Sequence, residues 1–154
     1  MEERINNRFV LKKLRPSHFS SDTNEQIHSL FEQLNASITQ LQAIEVTKTD
    51  ETIFMACWYE NRIVGMAIMA TYKVISGHKG IIEDVVVNEK FRGNGIGKRL
   101  VQMLLEEARK LHLSEILLFS GHHRKAAIHL YKSLGFKLKD SGLYHLQLNE
   151  VIAP

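Results

Sequence analysis

The sequence predicts an α/β (α+β) protein: a single mixed sheet of about seven strands with helices on both faces. Three observations carry this. Several short apolar runs bounded by turn residues read as strands, concentrated between residues 53 and 87. A long amphipathic segment, Gly95–Lys110, lies between two of those runs and reads as a crossover helix. The overall order is β-α-α-β-β-β-α-β-α-β-β. A run of strands followed by strand–helix–strand requires antiparallel and parallel pairs in one sheet.

The elements follow in order along one domain, 1–154. Phe9–Leu14 is a strand closed by Arg15-Pro16. Asp22 or Thr23 can cap a helix over 24–34, whose apolar positions Ile27, Leu30, Phe31 and Leu34 follow the helical period. A short helical piece is expected near 38–44. Ile53–Tyr59 and Ile63–Tyr72 form a hairpin around Glu60-Asn61-Arg62, where Asn tolerates the left-handed conformation of a tight turn. Ser76–Gly80 is a turn and Ile81–Val87 a fourth strand. In the helix 95–110, Ile96, Leu100, Leu104 and Ala108, with Leu111 just beyond it, form one apolar stripe. Ile116–Phe119 is a buried strand, and Lys125–Leu134 a helix ended by Gly135 in the C-terminal cap position. Phe136–Lys139 and Leu143–Leu148 read as a closing hairpin around Asp140-Ser141-Gly142.

Composition bounds the function. With 154 residues, 44% hydrophobic and 24% charged, the chain is long enough to bury a core without staples. One cysteine, Cys57, allows no intramolecular disulfide and suits a reducing compartment. It lies in an apolar run and reads as a small core residue. No run approaches the about 18 apolar residues of a membrane span, and the N-terminus lacks an apolar signal region. A cytoplasmic location with no membrane partner is expected. The net charge of +3 suits an anionic small ligand. No dense basic block with interleaved aromatics marks a nucleic-acid partner.

The most informative segment is Ile81–Arg99, in which an apolar strand runs into a basic, glycine-rich turn and then a helix. That order brings unpaired N–H groups, a helix dipole and cations to one point, an arrangement suited to phosphate. A Walker-type loop requires a hydroxyl after Gly-Lys, and here Gly97-Lys98 precedes Arg99. A dinucleotide fold requires Gly-x-Gly-x-x-Gly, whereas Gly93, Gly95 and Gly97 are spaced Gly-x-Gly-x-Gly. A turn shaped by geometry alone does not require three glycines beside Arg92, Lys98 and Arg99. An anion cradle for a pyrophosphate fits better.

Arg92-Gly93-Asn94-Gly95-Ile96-Gly97 resembles the Arg/Gln-x-x-Gly-x-Gly/Ala signature of the GNAT-superfamily N-acetyltransferases. Ala127-Ile128-His129-Leu130-Tyr131-Lys132-Ser133-Leu134-Gly135-Phe136 resembles that family's second signature. The resemblance extends in element order over 9–148. It implies the GNAT fold, acetyl-CoA as co-substrate with no metal, and transfer of acetyl to a primary amine by direct attack in a ternary complex. It implies that the turn Arg92, Gly93, Asn94, Gly95, Ile96, Gly97 and Lys98 holds the pyrophosphate, and that the backbone of Val85, Val86 and Val87 pairs with the pantetheine arm. It makes Tyr131 the acid that protonates the departing thiolate, since a phenol keeps its proton at neutral pH.

Glu83 and Asp84 are adjacent carboxylates in an apolar strand, which is costly unless they are paired or functional. They are the candidate bases. Strand alternation sends them to opposite faces, so at most one is expected to face a given cleft wall. Phe119 stands where members that acetylate protein N-termini carry a glutamate, and Arg124 where many members carry Asn. His122 and His123 read as loop residues rather than metal ligands. The acceptor, a small-molecule or peptide amine, is expected against the helical region 22–44. Ile82–Val87 and Leu30–Leu34 also resemble glucosamine-6-phosphate N-acetyltransferases, a narrower alternative. A CoA-binding sensor without turnover is the alternative of another class. Dimers are common in the family, so a homodimer is compatible with the resemblance.

Overall fold

In the computed structural model, which describes residues 2–148, one six-stranded sheet runs in the order β1-β2-β3-β4-β5-β6. Its strands are β1 (Glu2–Ile5), β2 (Phe9–Leu14), β3 (Thr52–Tyr59), β4 (Arg62–Val74), β5 (Gly77–Val87) and β6 (Glu115–Leu118). All neighbours are antiparallel except β5 and β6, which pair in parallel. Helices α1 (Ser21–Glu32) and α2 (Ala43–Val46) belong to one face, and α3 (Ile96–Lys110) and α4 (Lys125–Ser133) to the other.

Each face has its own core because strand side chains alternate. Leu11, Ile53, Met55, Cys57, Val64, Ala67 and Met69 pack with the α3 stripe of Ile96, Leu100, Val101, Leu104 and Ala108. Leu14, Phe54, Ala56, Met66, Ile68 and Val86 pack with Ile27 and Leu30 of α1 and Ala43 of α2. Leu111, expected on the stripe, is 40% exposed, because the helix has already ended at Lys110.

Several boundaries differ from expectation for local reasons. β1 was not foreseen; Asn6 and Asn7 both adopt positive φ and fold it back onto β2. Ser20, not Asp22 or Thr23, caps α1, its Oγ accepting from the Thr23 amide at 3.2 Å. The helical piece expected at 38–44 is only Ala43–Val46. In the β3–β4 hairpin it is Glu60, not Asn61, that takes the left-handed conformation (φ 54°). The Ser76–Gly80 turn contracts, because Val74 pairs with Gly77 and β5 starts there. The closing hairpin is absent: neither of its two strands forms over 136–148, and with β1 gained the described sheet has six strands rather than about seven.

Two features position the site. First, α3 lies very close to β4: a Cβ at Gly65 would meet Ile96 Cγ2 at 2.9 Å and Leu100 Cδ1 at 3.2 Å. Second, α1 is fastened across the sheet by amide side chains. Gln26 Oε1 accepts from the Ile63 amide at 2.7 Å, and Gln33 Oε1 accepts from the Glu89 amide at 3.2 Å. Gly65→Val, which overfills the first contact, is expected to cost about 1–3 kcal/mol in urea unfolding. Wild-type stability in that variant would show that α3 has room to move.

Candidate active site

β5 carries the site because it bulges against one neighbour and leaves the other. Toward β4 the register jumps: Met66 pairs with Val86 but Ile68 pairs with Glu83, so Asp84 and Val85 together oppose Ala67. This is a β-bulge, and Asp84 at φ 51° is its left-handed residue. Toward β6, parallel pairing ends at Ile82–Leu118. From Glu83 onward that side of β5 has no strand partner.

The bulge overturns the alternation argument. Glu83 and Asp84 line the same cavity, of about 230 Å³, together with Val85, Ser120, Arg124 and Tyr131. A regular strand would have sent one of the carboxylates to the opposite face. Phe31, Leu34, Asn35 and Ile38 form the opposite wall, from the end of α1 and the segment after it. Those residues lie within the 22–44 stretch singled out in the sequence.

The electrostatics of this cavity are those of poorly solvated acids. Burial holds the Asp84 carboxyl above the usual carboxylate range. Burial, and then the neighbouring Asp84, does the same for Glu83. Burial raises the Tyr131 phenol, and the nearby Arg124 guanidinium opposes this more weakly. The Tyr131 ring is fixed edge-on against Phe136, with centroids 6.0 Å apart. Ser120 Oγ is buried at the cavity without a hydrogen-bond partner among the described residues. No feature of the sequence singled it out.

The glycine-rich turn adjoins this region. Gly93 and Gly95 adopt φ 79° and 77° with open space where a Cβ would stand. Gly95 is the N-cap of α3 and supplies no side-chain cap. The amides of Ile96, Gly97 and Lys98 therefore point out of the helix start without intrahelical partners, since the first α3 bond runs from the Arg99 amide to the Gly95 carbonyl. Gly97 fits between Val87 and Leu130, each 3.5 Å from the position of a Cβ.

Side chains in this turn hold its shape. Arg92 Nε donates to the Val87 carbonyl at 3.1 Å, and Asn94 Nδ2 donates to the Phe91 carbonyl at 2.9 Å. Ile96 and Val86 are buried, so only their backbones can face a ligand. Val85 and Val87 are half-buried against the α3-side core. Arg99, counted with the basic cluster in the sequence, is not available to the turn. Its guanidinium hydrogen-bonds Glu3 of β1 and lies 3.0 Å from Glu106. Cys57 is fully buried and its thiol is pushed up to about 12 by burial. Among the described residues no group of three or more His, Cys, Asp or Glu could hold a metal.

The profile of the Acetyltransferase (GNAT) family matches residues 11–136. The chain belongs to this family. Within the GNAT family, it is 32% identical over 72 residues to N-alpha-acetyltransferase 30 of Saccharomyces cerevisiae, a match covering 47% of this chain and 40% of the yeast protein. It is 33% identical over 89 residues to the L-methionine sulfoximine/L-methionine sulfone acetyltransferase of Pseudomonas aeruginosa, covering 56% of this chain and 51% of that one. The chain thus spans about half or less of the length of these curated relatives. Among solved structures, an aminoglycoside acetyltransferase from an uncultured soil metagenomic sample superposes with a TM-score of 0.81 at 16% identity, covering 96% of this chain and all of that one. A glucosamine-6-phosphate N-acetyltransferase from Arabidopsis thaliana superposes with a TM-score of 0.71 at 22% identity, covering 90% and 97%. At such identities these likenesses establish the fold.

Asp84→Asn offers a stability test of the half-buried Asp84 carboxyl. Where both folded and unfolded chains hold the proton, at low pH, the substitution should be nearly neutral. As pH rises past the ordinary carboxylate pKa, the unfolded chain ionises first, and wild-type stability falls until the raised folded pKa is passed. Asn also tolerates positive φ. Asp84→Asn should therefore raise the melting temperature at pH 7 and leave it nearly unchanged near pH 3. A lower melting temperature at pH 7 would mean that the charge is compensated.

Proposed function

We propose that this GNAT-family chain is an acyltransferase that moves an acetyl group from acetyl-CoA to a primary amine by direct attack in a ternary complex. The observation that carries this reading is the meeting of Glu83, Asp84 and Tyr131 in one cavity beside the open edge of β5. Acetyl-CoA supplies the activated acetyl thioester. The pyrophosphate suits the free amides of Ile96, Gly97 and Lys98 at the positive end of α3, with Gly93 and Gly95 permitting close approach. Lys98 adds charge there, and Arg92 and Asn94 keep the turn in shape. Val85, Val86 and Val87 have no strand partner on the β6 side, and that side suits an amide-bearing arm that adds as a strand would.

Glu83 and Asp84 are the candidate bases. An alkylamine with a pKa near 10.4 is almost fully protonated at neutral pH, and neutralising it costs about 4–5 kcal/mol. A carboxylate with a raised pKa is a better acceptor of that proton than an ordinary one. The carboxylate takes that first proton and passes it to solvent; as the new N–C bond forms and the C–S bond breaks, a second proton leaves the nitrogen for the carboxylate, and Tyr131 donates its own to the sulfur. A half-buried phenol is suited to this because it remains protonated at pH 7.

A second reading concerns the acceptor. Arg124 lines the cavity, has no ion-pair partner among the described residues, and influences Tyr131 rather than either acid. A cation apart from two carboxylates favours an acceptor with an amine at one end and an anion at the other, such as glucosamine 6-phosphate. A sensor that binds CoA without turnover is the competing class, and an amine panel that includes glucosamine 6-phosphate, polyamines and peptides separates them by thiol release.

Tyr131→Phe should lower kcat by about 10²–10⁴-fold while calorimetry finds CoA affinity nearly intact. Unchanged turnover would remove Tyr131 from the chemistry. The log of kcat/KM should rise with pH through an acid limb above the usual carboxylate range, because the base acts ionised. A wild-type protein that takes up no CoA in calorimetry would overturn the whole reading.

A further inference from the structure

The cavity at β5 has three sides of different chemistry. Glu83 and Asp84 supply the acidic side, from the bulge. Ser120 and Arg124 supply a second, from the segment between β6 and α4. The third is apolar. It is made by Phe31, Leu34 and Ile38, from the end of α1 and the segment after it, and by Phe119, immediately after β6.

The apolar side has surface to spare. Phe31 and Leu34 pack down onto the α1-side core, whereas Ile38 and Phe119 are each 52% exposed. Two large apolar side chains left in water at a cavity mouth gain when an apolar group enters. Asn35 is the polar lining residue of that stretch, and its Oδ1 already accepts from the Ser37 amide at 3.0 Å and the Ser37 hydroxyl at 2.7 Å. This side therefore offers the hydroxyls of a sugar no free side-chain acceptor.

The second side suits a carboxylate. Ser120 Oγ is buried without a hydrogen-bond partner among the described residues, and such a hydroxyl is costly to leave unpaired. Arg124 adds a fixed positive charge. A turn closed by the Arg124 amide, which donates to the Gly121 carbonyl at 2.9 Å, keeps the two residues near each other. The two oxygens of one carboxylate can accept from the hydroxyl and from the guanidinium together. A second ammonium group, as on a polyamine, is repelled there. The cavity of about 230 Å³ is smaller than the roughly 300–1,000 Å³ of common small-molecule sites, so the acceptor is small.

We infer that the acceptor is a free α-amino acid with an apolar side chain, its amine at Glu83 and Asp84, its carboxylate at Ser120 and Arg124, and its side chain against Ile38 and Phe119. This acceptor class rests on the acetyl-transfer reading and narrows it. The amine nitrogen bonds to the acetyl carbon as the C–S bond breaks. Acetyl-CoA and the ammonium form of the amino acid then give the N-acetyl amino acid, the thiol of CoA and one proton released to solvent.

Thiol release from acetyl-CoA is measured with L-leucine, glycine, L-leucinamide and glucosamine 6-phosphate. L-Leucine should exceed glycine in kcat/KM by about 10-fold or more, through its apolar side chain. It should exceed L-leucinamide by about 10-fold or more through its carboxylate, although the amide is the less basic amine and holds more neutral nitrogen at pH 7. Arg124→Gln should bring the leucine-to-leucinamide ratio close to one and keep the leucine-to-glycine preference. Ile38→Ser should do the reverse, a crossing that general loss of structure does not produce. Both positions are exposed, so circular dichroism should find the fold intact. Leucinamide or glucosamine 6-phosphate used as well as leucine, or ratios unmoved by either substitution, would overturn the amino-acid acceptor and leave acetyl transfer standing. Uptake of CoA in calorimetry with no thiol released on these four, on polyamines or on peptides would overturn both.

Discussion

Between residues 83 and 87 the backbone of β5 bulges against β4 and has lost β6, and the site depends on that combination. On one side the bulge at Asp84 and Val85 skips a register position against β4. On the other, pairing with β6 has already stopped. A sheet interior normally satisfies every amide and carbonyl. Here a central strand keeps free groups and two carboxylates at the same spot, and the surrounding core tolerates it because Val86 remains anchored in the α1-side cluster. The positive φ of Asp84 is the local strain that keeps both acids in one cavity.

The charge arrangement follows from the same geometry. The start of α3 has no acidic residue in its first turn and no side-chain cap, so its partial positive charge is left uncompensated. Nearby cations are not equivalent. Arg99 is committed to two glutamates, whereas Arg92, which gives only its Nε to the Val87 carbonyl, and Lys98 are both exposed at the helix start. In the cavity the order is reversed: two acids held partly out of water face a tyrosine and one arginine. The helix start and the cavity thus present fields of opposite sign.

Much of this was legible in the residues. Periodicity identified α3 and its stripe, because one apolar face on a 15-residue helix is a strong signal. Gly93 and Gly95 announced the turn, because L side chains rarely adopt their positive φ. The co-location of Glu83 and Asp84 was not legible. Strand alternation separates neighbours, and nothing in Glu83-Asp84-Val85 distinguishes a bulge from a regular strand. Ser120 was invisible for a similar reason: its orphaned hydroxyl is a property of what surrounds it. β1 escaped notice because its short, charged run resembles a disordered end. The C-terminal hairpin was read from alternation that is real in the side chains, but alternation tells which face a residue takes and not which strand it meets.

The Glu3–Arg99–Glu106 cluster ties the first strand to the helix whose start forms the amide cradle. β1 is thereby more than an edge strand, since it helps hold the orientation of α3 from the far side of the molecule. An affinity tag or fusion partner placed just ahead of Glu2, or a buffer of high ionic strength, acts on that tether. Preparations that differ only in their leader sequence would then differ in how firmly the cradle is aimed.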